Sequence, residues 1–291
     1  MKRFSSGITQ LDKYLGGGFR PGTTTVIIGA TGVGKTQLGI HFANAGHRQE
    51  GERGALVDLS SRGDTQSHAA YAQRLCDWKV SSSLISELAT ASESVPGKAA
   101  IGNLLHGILE PSEGMPEFIE QGAVPEKGLR HFNRMFSATV GFLYHHFVRG
   151  TRRVVFDGLP PVDAQHHSPA YQMLDLIQAR VIKQSAEWVA RELYRQRYRH
   201  REHEVASASY DFEAIAGLVL CTSQHAMLEQ LIETPLLPND IAAEANTLIY
   251  MGRVRIGNRL ERAMYIAKHR GSECHDEFIP FSINDQGLQL S

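Results

Sequence analysis

Residues 23–36 read TTTVIIGATGVGKT, a β-branched run that ends in a glycine-rich turn. Every side chain from Thr23 to Ile28 branches at Cβ, the pattern of a buried strand. Gly29, Gly34, Lys35 and Thr36 then satisfy GxxxxGK[ST], and Leu38, Phe42 and Ala45 recur at helical spacing until Gly46, where a helix stop is expected. Strand, glycine loop and helix in that order predict a phosphate-binding loop at Gly29–Thr36. Glycines there let backbone N–H groups, including those of Ala30, Thr31, Gly32 and Val33, converge on phosphate oxygens without Cβ obstruction. The helix N-terminus adds a favourable field, Lys35 brings a positive charge to the outer phosphates, and the Thr36 hydroxyl suits magnesium. ATP and Mg2+ are the expected cofactors.

Outward from the loop, ALVDL at 55–59 reads as a second strand and HAAYAQRLCDW at 68–78 as a helix, a βαβα opening that implies a parallel sheet covered on both faces. The stretch 81–127 is rich in Gly, Pro, Ser and Glu and gives no clear architecture. Phe132, Phe136, Val140, Leu143 and Phe147 mark a helix that stops at Gly150 and leads into the strand RVVFD, ending at Asp157. A carboxylate at the carboxyl end of a strand beside the loop is placed to complete the magnesium shell, so Thr36 and Asp157 are the candidate metal residues. The alternative for Asp157 is a cap on the turn into Gly158 and Pro160. Residues 170–204 read as one long or broken helix with Leu174, Ile177, Val181, Trp188 and Leu193 on a stripe. GLVLCTS at 217–223 is a further strand, and two alternating runs about Gly257-Asn258, followed by FIPFSINDQGLQL, predict antiparallel strands. The expected fold class is α/β: a mostly parallel central sheet covered by helices, with a C-terminal antiparallel hairpin, in one elaborated domain over 1–291.

Composition narrows the functions further. The 30 basic and 31 acidic residues nearly cancel, so any nucleic-acid or membrane partner would need a local patch. Cys76, Cys221 and Cys274 lack metal or disulfide spacing and read as reduced thiols. His145/His146 and His166/His167 sit side by side, which points their rings apart and gives little support to a metal site. No apolar run approaches a membrane span, and a cytoplasmic protein is expected.

The segment before the loop, SGITQLDKYLGGGFRPG, resembles that of RecA-superfamily ATPases of the KaiC type through Gly7, Ile8, Leu11, Asp12 and Gly16 to Gly18. Lys268, Arg270 and Gly271, followed by Ile283 and Gly287, resemble the end of the same family. The likeness covers about the first eighty residues, the strand at Asp157 and the chain from about Gly217, leaving 81–127 and 160–216 unmatched. It implies a RecA-like P-loop core that assembles as a ring or filament. Lys268 and Arg270 would then act catalytically with Lys35 and Asp157, reaching the nucleotide of a neighbouring subunit. It also implies that Thr222, Ser223 and Gln224 stand where the γ-phosphate is sensed, with an ordinary polar strand exit as the alternative.

One departure bears on hydrolysis. The family's Glu-Glu pair after the second strand is matched here by Ser60-Ser61 within Leu59-Ser60-Ser61-Arg62, and a serine hydroxyl is a poor base without a partner. Hydrolysis is therefore expected to be slow or absent, with Asp58, on Ser60's own strand face, or Asp64 as substitutes. RELYRQRYRHR at 191–201 interleaves arginines with Tyr194 and Tyr198, a composition that suits nucleic acid, a solvated face or a subunit contact. The expected functions are a nucleotide-switched homo-oligomeric ATPase in regulation or signalling, an ATP-binding scaffold with little hydrolysis, or a DNA-binding recombinase-like ATPase. An autokinase lacks an adjacent Ser-Thr pair near 243–247, and a small-molecule kinase using the arginine helix as a lid conflicts with the likeness at both chain ends.

Overall fold

The β-branched run forms strand β1 (Thr24–Gly29), whose side chains are buried on both sides of the sheet. Val26 and Ile28 join an apolar cluster with Phe142 and Leu174 on one face. Ile27 joins Leu38, Ile40 and Phe42 on the other. Each such side chain removed from water contributes about 1.5–3 kcal/mol, which is why a strand buried on both faces carries no polar alternation of its interior residues. The computed structural model describes residues 3–60, 68–85, 87–88, 94–107, 126–161, 168–237, 240–273 and 275–290. Ser61, Asp64, His166, His167 and Cys274 lie outside the described residues.

The strands, in chain order, are β1, β2 (Ala55–Asp58), β3 (Ser82–Ser83), β4 (Leu104–His106), β5 (Arg153–Leu159), β6 (Ala216–Thr222), β7 (Thr247–Ile256), β8 (Arg259–His269), β9 (Ile279–Asn284) and β10 (Gly287–Leu290). They build one 10-stranded sheet in the order β10-β9-β8-β7-β1-β6-β5-β2-β4-β3. Strands β7 through β3 along that order run parallel, and β8, β9 and β10 alternate antiparallel about the predicted Gly257-Asn258 turn. The expected mixed, mostly parallel α/β sheet with a C-terminal antiparallel hairpin is what forms. Strands β3 and β4 fall in the stretch whose architecture the sequence left open, and they extend the sheet beyond β2.

Helices α1 (Thr9–Tyr14), α2 (Lys35–Gln49) and α3 (His68–Cys76) contribute to one face, and α4 (Glu126–Arg149), α5 (Pro169–Ile177), α6 (Ala186–Tyr194) and α7 (Tyr198–Ala206) to the other. Two expectations need correction. Gly46 does not stop α2, which runs on to Gln49; a Cβ at Gly46 would stand 2.5 Å from the Glu52 carbonyl oxygen, so the glycine serves close packing. Trp188 is 55% exposed and leaves the apolar stripe of 170–204, while Leu174, Ile177 and Val181 are buried. That region is broken by a π-helical turn at Gln178–Ile182, by Ser185, which caps α6 at Trp188 N–H, and by Arg195 at a positive φ of 49°.

Gly7 and Gly18 are packing devices as well. A Cβ at Gly7 would stand 2.3 Å from the His41 carbonyl oxygen, and one at Gly18 would stand 2.2 Å from that of Phe4. Asp12 accepts the Ser6 N–H at 2.6 Å. Behind this segment Arg153, fully buried at the start of β5, donates to Glu50 Oε2 at 2.7 Å and to the carbonyls of Ser5 at 2.6 Å and Phe42 at 2.8 Å. It also lies over the Phe4 and Phe42 rings at 5.0 and 4.9 Å. One guanidinium thus ties the N-terminal segment, the end of α2 and the start of β5 together.

Candidate functional site

The carboxyl ends of β1, β6, β5 and β2 meet at a cavity of about 750 Å³, the position where open parallel sheets present their ligand sites. Thr31, Gly32, Gly34, Lys35 and Thr36 form one wall, and Asp58, Ser60, His68, Tyr71, Asp157 and Thr222 another. Gly34 caps α2 at φ 116°, and a Cβ there would stand 2.9 Å from Ile283 Cδ1 and 3.1 Å from Leu288 Cδ1. The loop is therefore backed by β9 and β10. Gly32, at φ 76°, has open space where its Cβ would be.

Lys35 folds across the loop and donates from Nζ to the carbonyls of Gly29 at 2.8 Å and Ala30 at 3.0 Å. Burial holds its ammonium below the ordinary lysine range, with the Asp157 charge working the other way. The Gly29 carbonyl also accepts the Ser223 N–H at 3.0 Å, so the exit of β6 is fastened to the loop. Thr36 donates from Oγ1 to Asp157 Oδ2 at 2.7 Å, and the Gly158 N–H donates to Asp157 Oδ1 at 2.7 Å.

Strand β5 continues through Asp157 to Leu159, with its register to β6 shifting between Phe156 and Leu159. Gly158 has φ 83°, and a Cβ there would stand 2.5 Å from Ser60 N. This close approach, with the Leu59 N–H donating to the Asp157 carbonyl at 2.7 Å, locks the ends of β2 and β5 side by side. Asp58 and Asp157 are direct register partners.

His68, buried at the start of α3, sits between these two carboxylates. Its Nε2 is 3.0 Å from Asp157 Oδ2 and its Nδ1 is 4.0 Å from Asp58 Oδ2. His106 Nδ1, from the end of β4, lies 3.4 Å from the same Asp58 oxygen, and the Ser60 N–H donates to Asp58 Oδ1 at 3.0 Å. Burial alone would raise the Asp58 carboxyl, but the bonds from His106 and Ser60, with the nearby His68, hold it below the usual carboxylate range.

The candidate residues thus divide into groups. Thr31, Gly32, Gly34, Lys35, Thr36 and Asp157 line the cavity. Gly29, Ala30 and Val33 shape the loop without lining it, Val33 being buried in the core. Gln224 is exposed beyond the lining residue Thr222. Lys268 and Arg270 also lie outside the cavity. Lys268 Nζ donates to the carbonyls of Ala242 at 3.1 Å and Ala243 at 2.8 Å, and Arg270 is exposed. His68, His106, Tyr71 and Gly158 were not singled out as site residues from sequence; the one available signal was that His68 opens the helix following the second strand.

The donor set fits a magnesium nucleotide. Hydroxyl and carboxylate oxygens of Thr36 and Asp157 meet at the foot of the loop, and a hard cation that retains waters and phosphate ligands needs only one or two such groups. Among the described residues no helix is long and apolar enough to cross a membrane. No curated protein matches the chain. Residues 4–82 match the family model described as ATPase: KaiC. That match holds α1, β1, the phosphate loop, α2, β2 and α3, and the observed sheet is consistent with a KaiC-like P-loop ATPase of RecA type.

Proposed function

We propose that the chain binds MgATP in this cavity, hydrolyses it, and works as a nucleotide-switched homo-oligomer in regulation or signalling. The observation that carries this is the convergence of Lys35, Thr36 and Asp157 on one cavity at the carboxyl ends of β1 and β5. Lys35 would meet the β- and γ-phosphates, and Thr36 and Asp157 would hold Mg2+. Bound there, the ion would neutralise charge that develops on the transferring phosphoryl group. Lys268 and Arg270 stand away from their own chain's cavity, an arrangement compatible with service to a neighbour's nucleotide. Gln224, close behind the Ser223 link to Gly29, would carry nucleotide state outward.

A second reading keeps binding without turnover, and its support is Ser60, a neutral hydroxyl lining the cavity where the family has a glutamate. The arginine helix offers the DNA reading little support. Arg191 pairs with Glu187 at 2.6 Å, Arg195 with Glu192 at 3.8 Å and Arg201 with Glu204 at 2.7 Å, while Arg191 lies over Tyr198 and Arg201 over Tyr194. These three arginines are answered by glutamates three or four residues away, and the two tyrosine contacts tie α6 to α7.

Phosphate release and ATP binding by the wild type and Lys35→Ala test the proposal, together with particle mass with and without MgATP. The expected result is release and binding that both depend on Lys35, and a heavier particle with ATP. Binding without Lys35-dependent release would establish the scaffold reading. A mass unchanged by nucleotide would refute the switching assembly.

A further inference from the structure

We infer that Asp58 is the catalytic carboxylate that orients the attacking water, replacing the glutamates that Ser60-Ser61 lack. The inference rests on the proposal that the chain hydrolyses ATP and names the residue that makes it possible.

Position comes first. Asp58 is the last residue of β2 and the register partner of Asp157 on β5, so it occupies the same edge of the sheet as the magnesium carboxylate, one strand away. Both line the cavity that contains Lys35 and Thr36. Ser60 lines it too, but its backbone is pressed against Gly158 and its N–H is committed to Asp58. A hydroxyl there offers no fixed negative charge.

The environment of Asp58 then separates it from Asp157. Asp157 accepts from Thr36 and Gly158, the arrangement of a group that serves the loop and its metal. Asp58 instead is steadied from outside the loop, by the Ser60 N–H on Oδ1 and by His106 and His68 facing Oδ2. An ionised carboxylate has about four acceptor positions; the Ser60 N–H, the Ser60 hydroxyl and His106 take three, and His68 Nδ1 at 4.0 Å stands beyond hydrogen-bond reach, so one position is left for a water from the cavity. His68, set between the two carboxylates, keeps them at opposite ends of one imidazole, so Asp58 is spared metal duty.

The step balances without Asp58 taking a proton. The water oxygen, held by the Asp58 carboxylate, forms a bond to Pγ as the bond from Pγ to the β–γ bridging oxygen breaks. The electron pair leaves with ADP, and the water's protons end on the released phosphate as dihydrogen phosphate. In a loose transition state this orientation supplies much of the catalysis and a strong base is unnecessary. His106 is a positioning residue, acting through Asp58.

The test uses the full chain and its Asp58→Asn variant, which keeps an acceptor for Ser60 and removes the charge. Three quantities are read: MgATP affinity, phosphate release, and retention of MgADP with aluminium fluoride as a mimic of the transferring phosphoryl group. The expected result is affinity within about threefold of wild type, release lower by about 10²–10⁴, and loss of the fluoride-trapped state. Asp58→Glu should restore part of the release. Release within about threefold of wild type in Asp58→Asn overturns the inference, as does affinity lost in proportion to release, which would mark a binding residue. If Asp58→Asn does not fold, His106→Gln decides: kcat several-fold lower at unchanged KM supports the role, and unchanged kcat overturns it. A wild type that releases no phosphate beyond Lys35→Ala would sink the hydrolysis proposal and this inference together. A wild type that turns over alongside an equally active Asp58→Asn would sink the inference alone.

Discussion

Gly158→Ala is the substitution whose effect can be worked most directly from the geometry. The new Cβ would lie 2.5 Å from Ser60 N, 2.7 Å from Ser60 Cβ and 2.8 Å from Ser60 Cα, where ordinary contact begins at 3.4 Å. The ends of β2 and β5 must therefore part by roughly 0.9 Å at the tightest point, and a misplacement on the order of 1 Å in a reacting group can cost about 10²-fold in rate. Backbone strain at φ 83° and forced overpacking together cost roughly 2–5 kcal/mol. Phosphate release should thus fall by about two orders of magnitude, with a melting temperature lower by roughly 3–8 °C. MgATP affinity should change little, because Lys35 and Thr36 sit on α2 and the displaced element is the end of β2. Gly257→Ala is the control: its φ is 60°, with open space at its Cβ, so it carries strain without a clash. Calorimetry, phosphate release and equilibrium ATP binding on both variants measure the difference. A Gly158→Ala protein that melts and turns over like Gly257→Ala would refute the described packing of β5 on Ser60 and the role assigned to that spacing.

Three further outcomes are expected. Arg153→Met leaves the largely covered Glu50 carboxylate without its guanidinium and should cost about 3–5 kcal/mol in denaturant unfolding, with much of the loss recovered in Arg153→Met/Glu50→Gln; an undiminished loss in the double variant would mean that the backbone contacts dominate. His146 is pushed down to about 4 by burial, so the folded state refuses a proton that the unfolded state accepts below pH 6.5. Its contribution to stability is fully present above pH 6.5 and is lost as pH falls toward 4; stability measured at pH 7 and pH 5 should differ less in His146→Gln, and equal slopes would count against the neutral buried ring. Asp157→Asn should weaken the dependence of ATP affinity on magnesium by about tenfold while ATP still binds in the absence of the ion; an unchanged magnesium titration would remove Asp157 from the metal site.

Local features of the site were legible in the sequence. Strand β1, the loop and α2 form one contiguous segment in which branching, glycines and helical spacing agree, and Asp157 ends its own apolar run. The Asp58–His68–Asp157 cluster was not legible, because it depends on which strands become neighbours and in what register. Asp58 alone reads as one polar residue at a strand end; Gly158 and the Leu59 bond place it beside Asp157. Strands β3 and β4, of two and three residues, are too short to show periodicity. The stretch after Pro169, read as one long or broken helix, is the broken one: a π-helical turn, a serine cap and Arg195 at a positive φ interrupt it, none of which disturbs the apolar pattern as glycine or proline would.

The seating of Gly34 against Ile283 and Leu288 has a consequence for how the protein is made. A ribosome delivers the phosphate loop before the elements that hold it: β1 lies between β6 and β7, and the loop rests on β9 and β10, all of which follow it in the chain. Until those strands emerge, a run of six β-branched residues has no sheet to enter and offers an unpaired edge. Competence to hold ATP therefore waits for β6, β7, β9 and β10 to emerge and pair, and until then the segment at 23–28 is exposed to wrong partners.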